Sequence, residues 1–315
     1  MPGKISLISA LLLASIAPAS GQTPGAPQAE TIAPAPAVLT TESVIALGSD
    51  IPGRLTVPVT IAGEGPFPFT IDTGAERSVI SNELAALLKL GRGKPVRVTS
   101  ITGSGSVATV VIPALRVGPV EVQRIEAPSF RGYNLGAPGL LGLDLLAGHA
   151  IRIDFETAQM RLIGASARPR GFGNNPDEIV IRARNQFRQL VVTDAYFRGK
   201  RIRVILDTGT AVSLGNLAMQ RLVGEQREPA GAITLTSVTG AKLEADYAVV
   251  KDVTVGGVVF QTLPVAFNDA APFAAFGLRN RPALLLGMDA LRQFRRVDID
   301  FANREVRVSL PRRQR

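Results

Sequence analysis

The sequence predicts an all-β protein of two similar lobes, each a closed or strongly curved β-sheet. Three observations support this fold class. Residues 69–75, Phe-Thr-Ile-Asp-Thr-Gly-Ala, return 135 residues later as Val-Ile-Leu-Asp-Thr-Gly-Thr at 204–210. Short runs rich in β-branched residues are broken throughout by glycine and proline, which is typical of strands joined by turns. Helical patterns are few and short, so sheets must form most of each lobe.

The similarity between the two halves extends well beyond the Asp-Thr-Gly tripeptide. A serine follows each aspartate by six residues, at Ser78 and Ser213. Further matches in the same order are Ser-Ile-Thr-Gly at 100–103 with Ser-Val-Thr-Gly at 237–240, Leu-Leu-Gly at 140–142 with 285–287, and Ile-Asp-Phe at 153–155 with 299–301. Because the blocks keep one order and their offset only grows, internal duplication explains them better than chance.

The chain divides into four parts, of which the first two lie outside the lobes. Residues 1–21 have the charge of Lys4, an apolar stretch over 5–16 and a small-residue cleavage site, and they predict a signal peptide. Residues 22–40 are a Pro/Ala-rich linker. An N-terminal lobe (41–167) and a C-terminal lobe (168–315) follow. We expect an exported protein, periplasmic or secreted, with no stable membrane insertion after signal cleavage; a retained N-terminal anchor is the alternative.

Strands and hairpins are predicted at matching places in the two lobes. Residues 55–61 alternate as in a strand, with Pro58 favouring an edge position, and the apolar run 67–72 predicts a buried strand. Short helical patterns cover 81–88 and 215–222. Hairpins are predicted around the glycine-containing tips 102–105 and 239–240, and tight turns at 118–119 and 256–257.

Composition excludes several kinds of active site. The chain has no cysteine, so it contains neither a disulfide nor a thiol nucleophile. Its single histidine, His149, rules out two-histidine zinc motifs, and no Gly-x-Ser-x-Gly elbow accompanies it. The net charge is +9, yet aromatics make up only 5% of the chain and are not interleaved with the basic residues. We therefore expect no nucleic-acid partner.

Each half resembles a retropepsin, the retroviral-type unit of aspartic peptidases. The resemblance lies in the Asp-Thr-Gly loop after an apolar strand, the Gly-rich hairpin, and the late Leu-Leu-Gly followed by a short helix, and it covers roughly 45–165 and 185–311. Exported bacterial relatives of this family carry similar Leu-Gly-x-Asp signatures. The resemblance implies two retropepsin/pepsin-like β-barrel lobes in one chain, with the active site between them.

The resemblance also implies an aspartic endopeptidase that acts on a peptide or protein substrate. Two carboxylates that share a low-dielectric cleft cannot both ionise readily, so the pair can activate a water. No metal and no cofactor are expected. The predicted catalytic residues are Asp72 and Asp207, the predicted supports of the active-site loops are Thr73, Gly74, Thr208, Gly209 and Thr210, and the predicted flap residues are Thr102, Gly103, Thr239 and Gly240.

Two details of the repeat lead to finer hypotheses. Ala75 follows the first Asp-Thr-Gly, whereas Thr210 follows the second. A hydrogen bond donated by the Thr210 hydroxyl to a carboxylate would favour the ionised form of Asp207 and leave the proton on Asp72. Asp144 and Asp289 follow the late glycines, and we interpret them as helix N-caps rather than as a second carboxylate pair.

Two alternatives remain open at the level of sequence. One is a catalytically silent module of the cell envelope that binds peptides or polymers through a protease-like fold. The other keeps the enzyme but pairs lobes between chains. We favour a monomer with pseudo-two-fold lobes, because the connector around 174–176 is long enough for the lobes of one chain to meet.

Overall fold

The computed structural model describes residues 6–9, 13–15, 43–47, 54–146, 148–164, 178–186 and 189–311. Strands dominate, and the helices are short. The strands up to the end of the first repeat are β1 (Ser6–Ser9), β2 (Leu13–Ser15), β3 (Ser43–Ala46), β4 (Thr56–Ile61), β5 (Glu64–Ile71), β6 (Val79–Ser81), β7 (Gly91–Arg92), β8 (Val96–Ser100), β9 (Gly103–Val107), β10 (Thr109–Val117), β11 (Val120–Phe130), β12 (Gly139–Leu141), β13 (His149–Asp154) and β14 (Gln159–Gly164).

The second repeat continues the numbering. Its strands are β15 (Glu178–Gln186), β16 (Gln189–Phe197), β17 (Lys200–Leu206), β18 (Leu214–Gly215), β19 (Glu228–Ser237), β20 (Lys242–Val250), β21 (Val253–Val255), β22 (Val258–Phe260), β23 (Leu263–Phe267), β24 (Ala283–Leu286), β25 (Arg296–Asp300) and β26 (Glu305–Ser309). The helices are α1 (Asn82–Leu87), α2 (Gly132–Leu135), α3 (Leu143–Leu146), α4 (Leu217–Val223), α5 (Ala271–Ala275) and α6 (Met288–Leu291).

The first lobe is a closed barrel of six strands. Its strands follow the order β11-β6-β12-β5-β4-β10, and the antiparallel pair β10–β11 closes the ring. β4 therefore lies between β5 and β10, and the expectation that Pro58 marks an edge strand is wrong. The reason is local, because β4 pairs with β10 only at Thr60 and Ile61, so Pro58 lies outside that ladder.

The second lobe repeats this ring with two of its strands interrupted. The order β16-β17-β24-β18-β23-β20 matches the first ring strand for strand, and β21, which continues β20, pairs with β16. In both lobes the strand carrying Leu-Leu-Gly pairs in parallel with the strand that leads into the Asp-Thr-Gly loop. The predicted two-lobed β architecture and its internal duplication are therefore confirmed.

A further set of strands, continuous with the second lobe through the pairing of β15 with β16, joins the two lobes. The order β3-β14-β13-β25-β26-β15 takes three strands from each half, and the central pair β13–β25 is antiparallel with Ile151 opposite Ile299. Beside this position Arg152 forms an ion pair with Asp298, with its Nε 2.9 Å from one carboxylate oxygen. The two repeats thus share one sheet, although the predicted boundary at 167–168 lies outside the described residues.

The predicted local elements are present, with small shifts. Helices α1 and α4 are capped by the side chains of Ser81 and Asn216. Tight turns lie at 118–119 and at 256–257, with positive φ at Gly118, Gly256 and Gly257. The first flap hairpin, β8–β9, turns at residues 101–102, just before the predicted glycine-rich tip. The second, β19–β20, turns between 237 and 241, as predicted.

The segment predicted to be a signal peptide contributes two strands that lie on the flap hairpins. β1 runs parallel to β19, and β2 runs antiparallel to β8. The predicted linker at 22–40 lies outside the described residues. Within the described part of the chain, none of the helices has the length and apolar character needed to cross a bilayer.

Candidate active site

Both aspartates of the repeated tripeptide stand at the end of a buried central strand. Asp72 follows β5 and its N–H donates to the Leu141 carbonyl at 2.9 Å; Asp207 follows β17 and donates to Leu286 at 3.0 Å. These bonds extend the parallel pairings β5–β12 and β17–β24 by one residue. The apolar strands therefore place each carboxyl group in the interior, and both residues are 0% exposed.

The two Asp-Thr-Gly loops are joined by a reciprocal set of hydrogen bonds. The Thr73 N–H donates to the Thr208 hydroxyl at 3.0 Å, and the Thr208 N–H donates to the Thr73 hydroxyl at 3.1 Å. Each hydroxyl then donates across the junction to a backbone carbonyl, Thr73 to Leu206 at 3.1 Å and Thr208 to Ile71 at 2.9 Å. The loops of the two lobes are thereby held in one fixed relative position.

The glycines of the tripeptides bring backbone against the carboxyl groups. Gly74 N–H donates to Oδ1 of Asp72, and Gly209 N–H donates to Oδ1 of Asp207, both at 2.9 Å. A methyl group on Gly209 would overlap the carboxyl group of Asp72, so the second loop lies directly against the first aspartate. The remaining oxygens, Oδ2 of Asp72 and of Asp207, have no hydrogen-bond partner among the described residues. Each carboxyl group therefore keeps one buried oxygen that these contacts leave unpaired.

Burial sets the ionisation of the pair. It raises the pKa of Asp207 to about 7, although the Gly209 N–H and the charge of Arg54 lower it. Burial, and then the negative charge of Asp207, raise the pKa of Asp72 well above its ordinary value of 3.8. The two carboxyls therefore titrate as a unit, with protons shared by the pair.

The hypothesis about the Thr210 hydroxyl is wrong. The hydroxyl donates to the Val212 carbonyl at 3.0 Å rather than to a carboxylate. The backbone N–H of Thr210 lowers the pKa of Asp207, and the backbone N–H of Ala75 does the same for Asp72. The side-chain difference between positions 75 and 210 therefore leaves this hydrogen bond unchanged.

The predicted flap residues lie at the hairpin tips, but apolar neighbours anchor those tips. Thr102 and Gly103, and likewise Thr239 and Gly240, belong to or flank the two turns. Ile101 is 1% exposed and packs among residues of the second lobe, including Phe273. Its carbonyl also accepts a hydrogen bond from Ala271 N–H at 3.1 Å.

The tip of the second flap hairpin packs against the first lobe. Val238 is fully buried and packs with Ala75, Leu135 and other residues of the first lobe. Each hairpin therefore inserts its tip among residues of the other lobe. The sequence indicated flaps, but the Ile and Val of the repeated Ser-x-Thr-Gly blocks were not singled out as anchors.

Comparison with known families agrees with this geometry. A sequence model of the family described as aspartyl protease matches residues 57–145 and 193–290, together more than half of the chain. The chain belongs to the aspartyl protease family. Each match contains one Asp-Thr-Gly loop and one flap hairpin, which confirms the predicted retropepsin-like tandem repeat. A search of curated proteins found no match.

The second pair of repeated aspartates in this aspartyl protease fold supports the loops of the dyad. Asp144 accepts from the Ser78 N–H at 2.9 Å and from its hydroxyl at 2.7 Å, and Ser78 Oγ in turn accepts from the N–H of Gly142. Asp289 binds Ser213 in the same way. The interpretation as helix N-caps is wrong: α6 is capped by Gly287 without a side-chain bond, and Asp289 lies inside it.

A buried arginine, which the sequence analysis did not single out, lies beside the aspartyl dyad. Arg54 is 1% exposed and precedes β4. Its Nη1 donates to the Leu135 carbonyl at 2.7 Å, and its Nη2 donates to the Gly209 carbonyl at 2.8 Å. The only signal in the sequence is one charge immediately before an apolar strand, which is common at strand starts and gives no reason to place the charge inside.

Proposed function

We propose that the protein is an aspartic endopeptidase that hydrolyses peptide bonds with a water activated between Asp72 and Asp207. The observation that carries the proposal is the pair of buried carboxyl groups, each held at Oδ1 and free of protein partners at Oδ2 among the described residues. Membership of the aspartyl protease family supports the same reaction class.

The chemistry assigns one role to each carboxyl group. Ionised Asp207 accepts a proton from the water as the water attacks the scissile carbonyl carbon. Protonated Asp72 donates its proton to the carbonyl oxygen, so a neutral tetrahedral diol forms. Asp207, now protonated, gives its proton to the amide nitrogen while ionised Asp72 takes one from a diol hydroxyl. The C–N bond then breaks to yield a carboxyl product and an amine product, and the dyad regains its starting state. No covalent bond to the protein is formed.

The flap hairpins provide a means of holding an extended substrate. The chain's own strands β2 and β1 pair with β8 and β19, so both flap strands accept a further strand along an edge. A peptide bound in the same manner would gain backbone hydrogen bonds that do not depend on its side chains. The buried tips would then hold the flaps closed over the scissile bond and exclude bulk solvent, apart from the water held by the dyad.

We further propose that the working form is an exported monomer. Both aspartates, both threonines and the six-stranded junction belong to one chain, so a second copy is not required to complete the site. The apolar segment at 5–16 supports export. Size-exclusion chromatography of the active fraction and N-terminal sequencing of exported protein test these two points.

The silent binding module remains the alternative, and one experiment separates it from the enzyme. A peptide library is incubated from acid to neutral pH with the wild type, with Asp72→Asn and with Asp207→Asn, each with and without a statine-type inhibitor. We expect cleavage only by the uninhibited wild type. The exposed Asp252 supplies the control Asp252→Asn, which should cleave like the wild type. Peptide binding without cleavage would support the silent module.

A further inference from the structure

The environment of Arg54 is unusual for a cation. Its side chain lies in the interior and joins two lobes, because one of its nitrogens donates to Leu135 of the first lobe and another to Gly209 of the second. Gly209 is the glycine of a catalytic loop and lies against the carboxyl group of Asp72. The guanidinium is thus one hydrogen bond away from the backbone that positions the dyad.

Burying a charge is unfavourable unless an opposite charge lies nearby. The charged groups that act on Arg54 are Asp72 and Asp207, and both stabilise its protonated form against the effect of burial, which lowers its pKa. In the other direction, Arg54 is the cation that lowers the pKa of both aspartates. Arg292 also approaches, with its guanidinium 3.5 Å from the Arg54 carbonyl, but its side chain is exposed. Solvent therefore screens its charge.

The charges balance in only one ionisation state of the dyad. With one shared proton the two aspartates carry a single negative charge, which the guanidinium neutralises. With two protons the dyad supplies no negative charge beside the guanidinium, and with none it supplies two. Because a low-dielectric site penalises net charge, the singly protonated pair is the state that this arginine favours.

The arginine also breaks the pseudo-two-fold symmetry of the site. Thr56 pairs with Thr70 in the first lobe, and Val191 pairs with Ile205 in the second. Each residue of the second pair follows its counterpart in the first by 135 positions, which is also the separation of the two aspartates. The position equivalent to Arg54 is therefore Gln189. One lobe carries the cation, whereas the other has a neutral amide at that place in the repeat.

We propose that Arg54 is a positioning residue of the dyad, which fixes the second Asp-Thr-Gly loop against the first lobe and holds the two carboxyl groups in the singly ionised form that the reaction needs. This inference rests on the proposed function. It adds that the cation, rather than the hydrogen bonds alone, sets the pH range of activity.

The proposal predicts the direction in which that range moves. A neighbouring positive charge makes both successive ionisations of the dyad easier. Its removal should therefore move the acid limb and the alkaline limb of the pH–rate profile to higher pH. Because the guanidinium lowers the pKa of both carboxyl groups, we expect both limbs to move in the same direction.

The experiment compares Arg54→Gln and Arg54→Lys with the wild type in kcat/KM measured from acid to alkaline pH. Glutamine is the residue of the equivalent position and keeps N–H donors for the two carbonyls, and lysine keeps the charge. We expect both limbs to move up in Arg54→Gln and to stay near the wild type in Arg54→Lys. Arg292→Gln is the matched control and should leave the limbs in place.

Loss of rate or stability in Arg54→Gln with unmoved limbs would overturn the proposal, because it would leave Arg54 a purely structural role. Should that variant not fold, the neutral Arg54→Met takes its place with the same expected displacement, and displaced limbs in Arg54→Lys contradict the proposal. The carboxyl groups are also titrated by NMR in carbon-13 aspartate-labelled protein, with the same expected shifts. This readout needs no turnover, so it tests the inference even if the wild type cleaves nothing and the proposed function fails.

Discussion

Thr73 and Thr208 each accept a hydrogen bond from the other's backbone N–H, at 3.1 and 3.0 Å. Each hydroxyl also donates a hydrogen bond to a backbone carbonyl of the opposite lobe. Two residues from different halves thus satisfy four buried backbone groups. This arrangement makes the relative position of the two Asp-Thr-Gly loops depend on two small side chains.

We expect Thr208→Val to destabilise the protein and to lower its activity. The substitution keeps the shape but leaves the Thr73 N–H without its acceptor and the Ile71 carbonyl without this donor, at a cost of about 1–3 kcal/mol for each buried group left unsatisfied. Urea unfolding measures the loss. Thr208→Ser keeps the hydroxyl and should lie close to the wild type; equal destabilisation by Ser and Val would contradict the assignment.

Gly209→Ala tests the close approach of the two loops. The added methyl group would overlap the Asp72 carboxyl group, so the loop must shift, and we expect a lower melting temperature and loss of peptide cleavage. Gly91→Ala is the control, since a methyl group there meets nothing within 4 Å. If the two variants had equal stability and activity, the contact between Gly209 and Asp72 would play no part.

The stability of the protein should fall as pH rises through the range in which the dyad ionises. An aspartate with its pKa raised from 3.8 to about 7 binds more protons in the folded state than in the unfolded state between these values. The free energy of unfolding therefore decreases with pH there, by on the order of 4 kcal/mol for such a group when fully titrated.

Asp72→Asn removes one of the two raised groups. We expect its melting temperature to depend less on pH between about 4 and 7 than that of the wild type, as measured by calorimetry at constant ionic strength. Asp252→Asn, on the surface, should follow the wild-type curve. A variant whose curve falls as steeply as the wild type would show that the pKa of Asp72 is not raised in the folded protein.

The crossing flap tips predict a measurable change in flap dynamics. Ile101→Ala removes a buried side chain from the apolar cluster of the second lobe, so the closed position of the first flap loses packing energy of roughly 2–5 kcal/mol. We expect faster hydrogen exchange in β8 and β9 and a higher KM. Ser106→Ala, at an exposed position of β9, is the control, and equal exchange rates in the two variants would rule out the anchor.

Features that repeat with local sequence signals could be predicted from the sequence. The two apolar strands, the Asp-Thr-Gly loops and the glycine turns at 118–119 and 256–257 depend on nearby residues, and each appears twice. The strand order could be inferred only through the family resemblance. The prediction of an edge strand at Pro58 failed because β10 pairs with β4 only beyond this proline. The sequence around Pro58 does not indicate where that pairing begins.

The features that escaped prediction depend on contacts between the lobes. Arg54 becomes a partner of the dyad only when Gly209, from the other half, closes over it. Ile101 and Val238 become anchors only because each flap reaches the opposite lobe. The Thr210 hydroxyl turned to Val212, a neighbour two residues away, and the sequence alone does not decide between that carbonyl and the carboxylate.

The antiparallel junction of β13 with β25 has a consequence for how this protein can evolve. An assembly of two identical subunits must carry every substitution twice, once on each side of its axis. Here the halves are covalently linked and encoded separately, so either can mutate without the other. An arginine at position 54 with a glutamine at the equivalent position 189 is a combination that a symmetric dimer has no means of reaching.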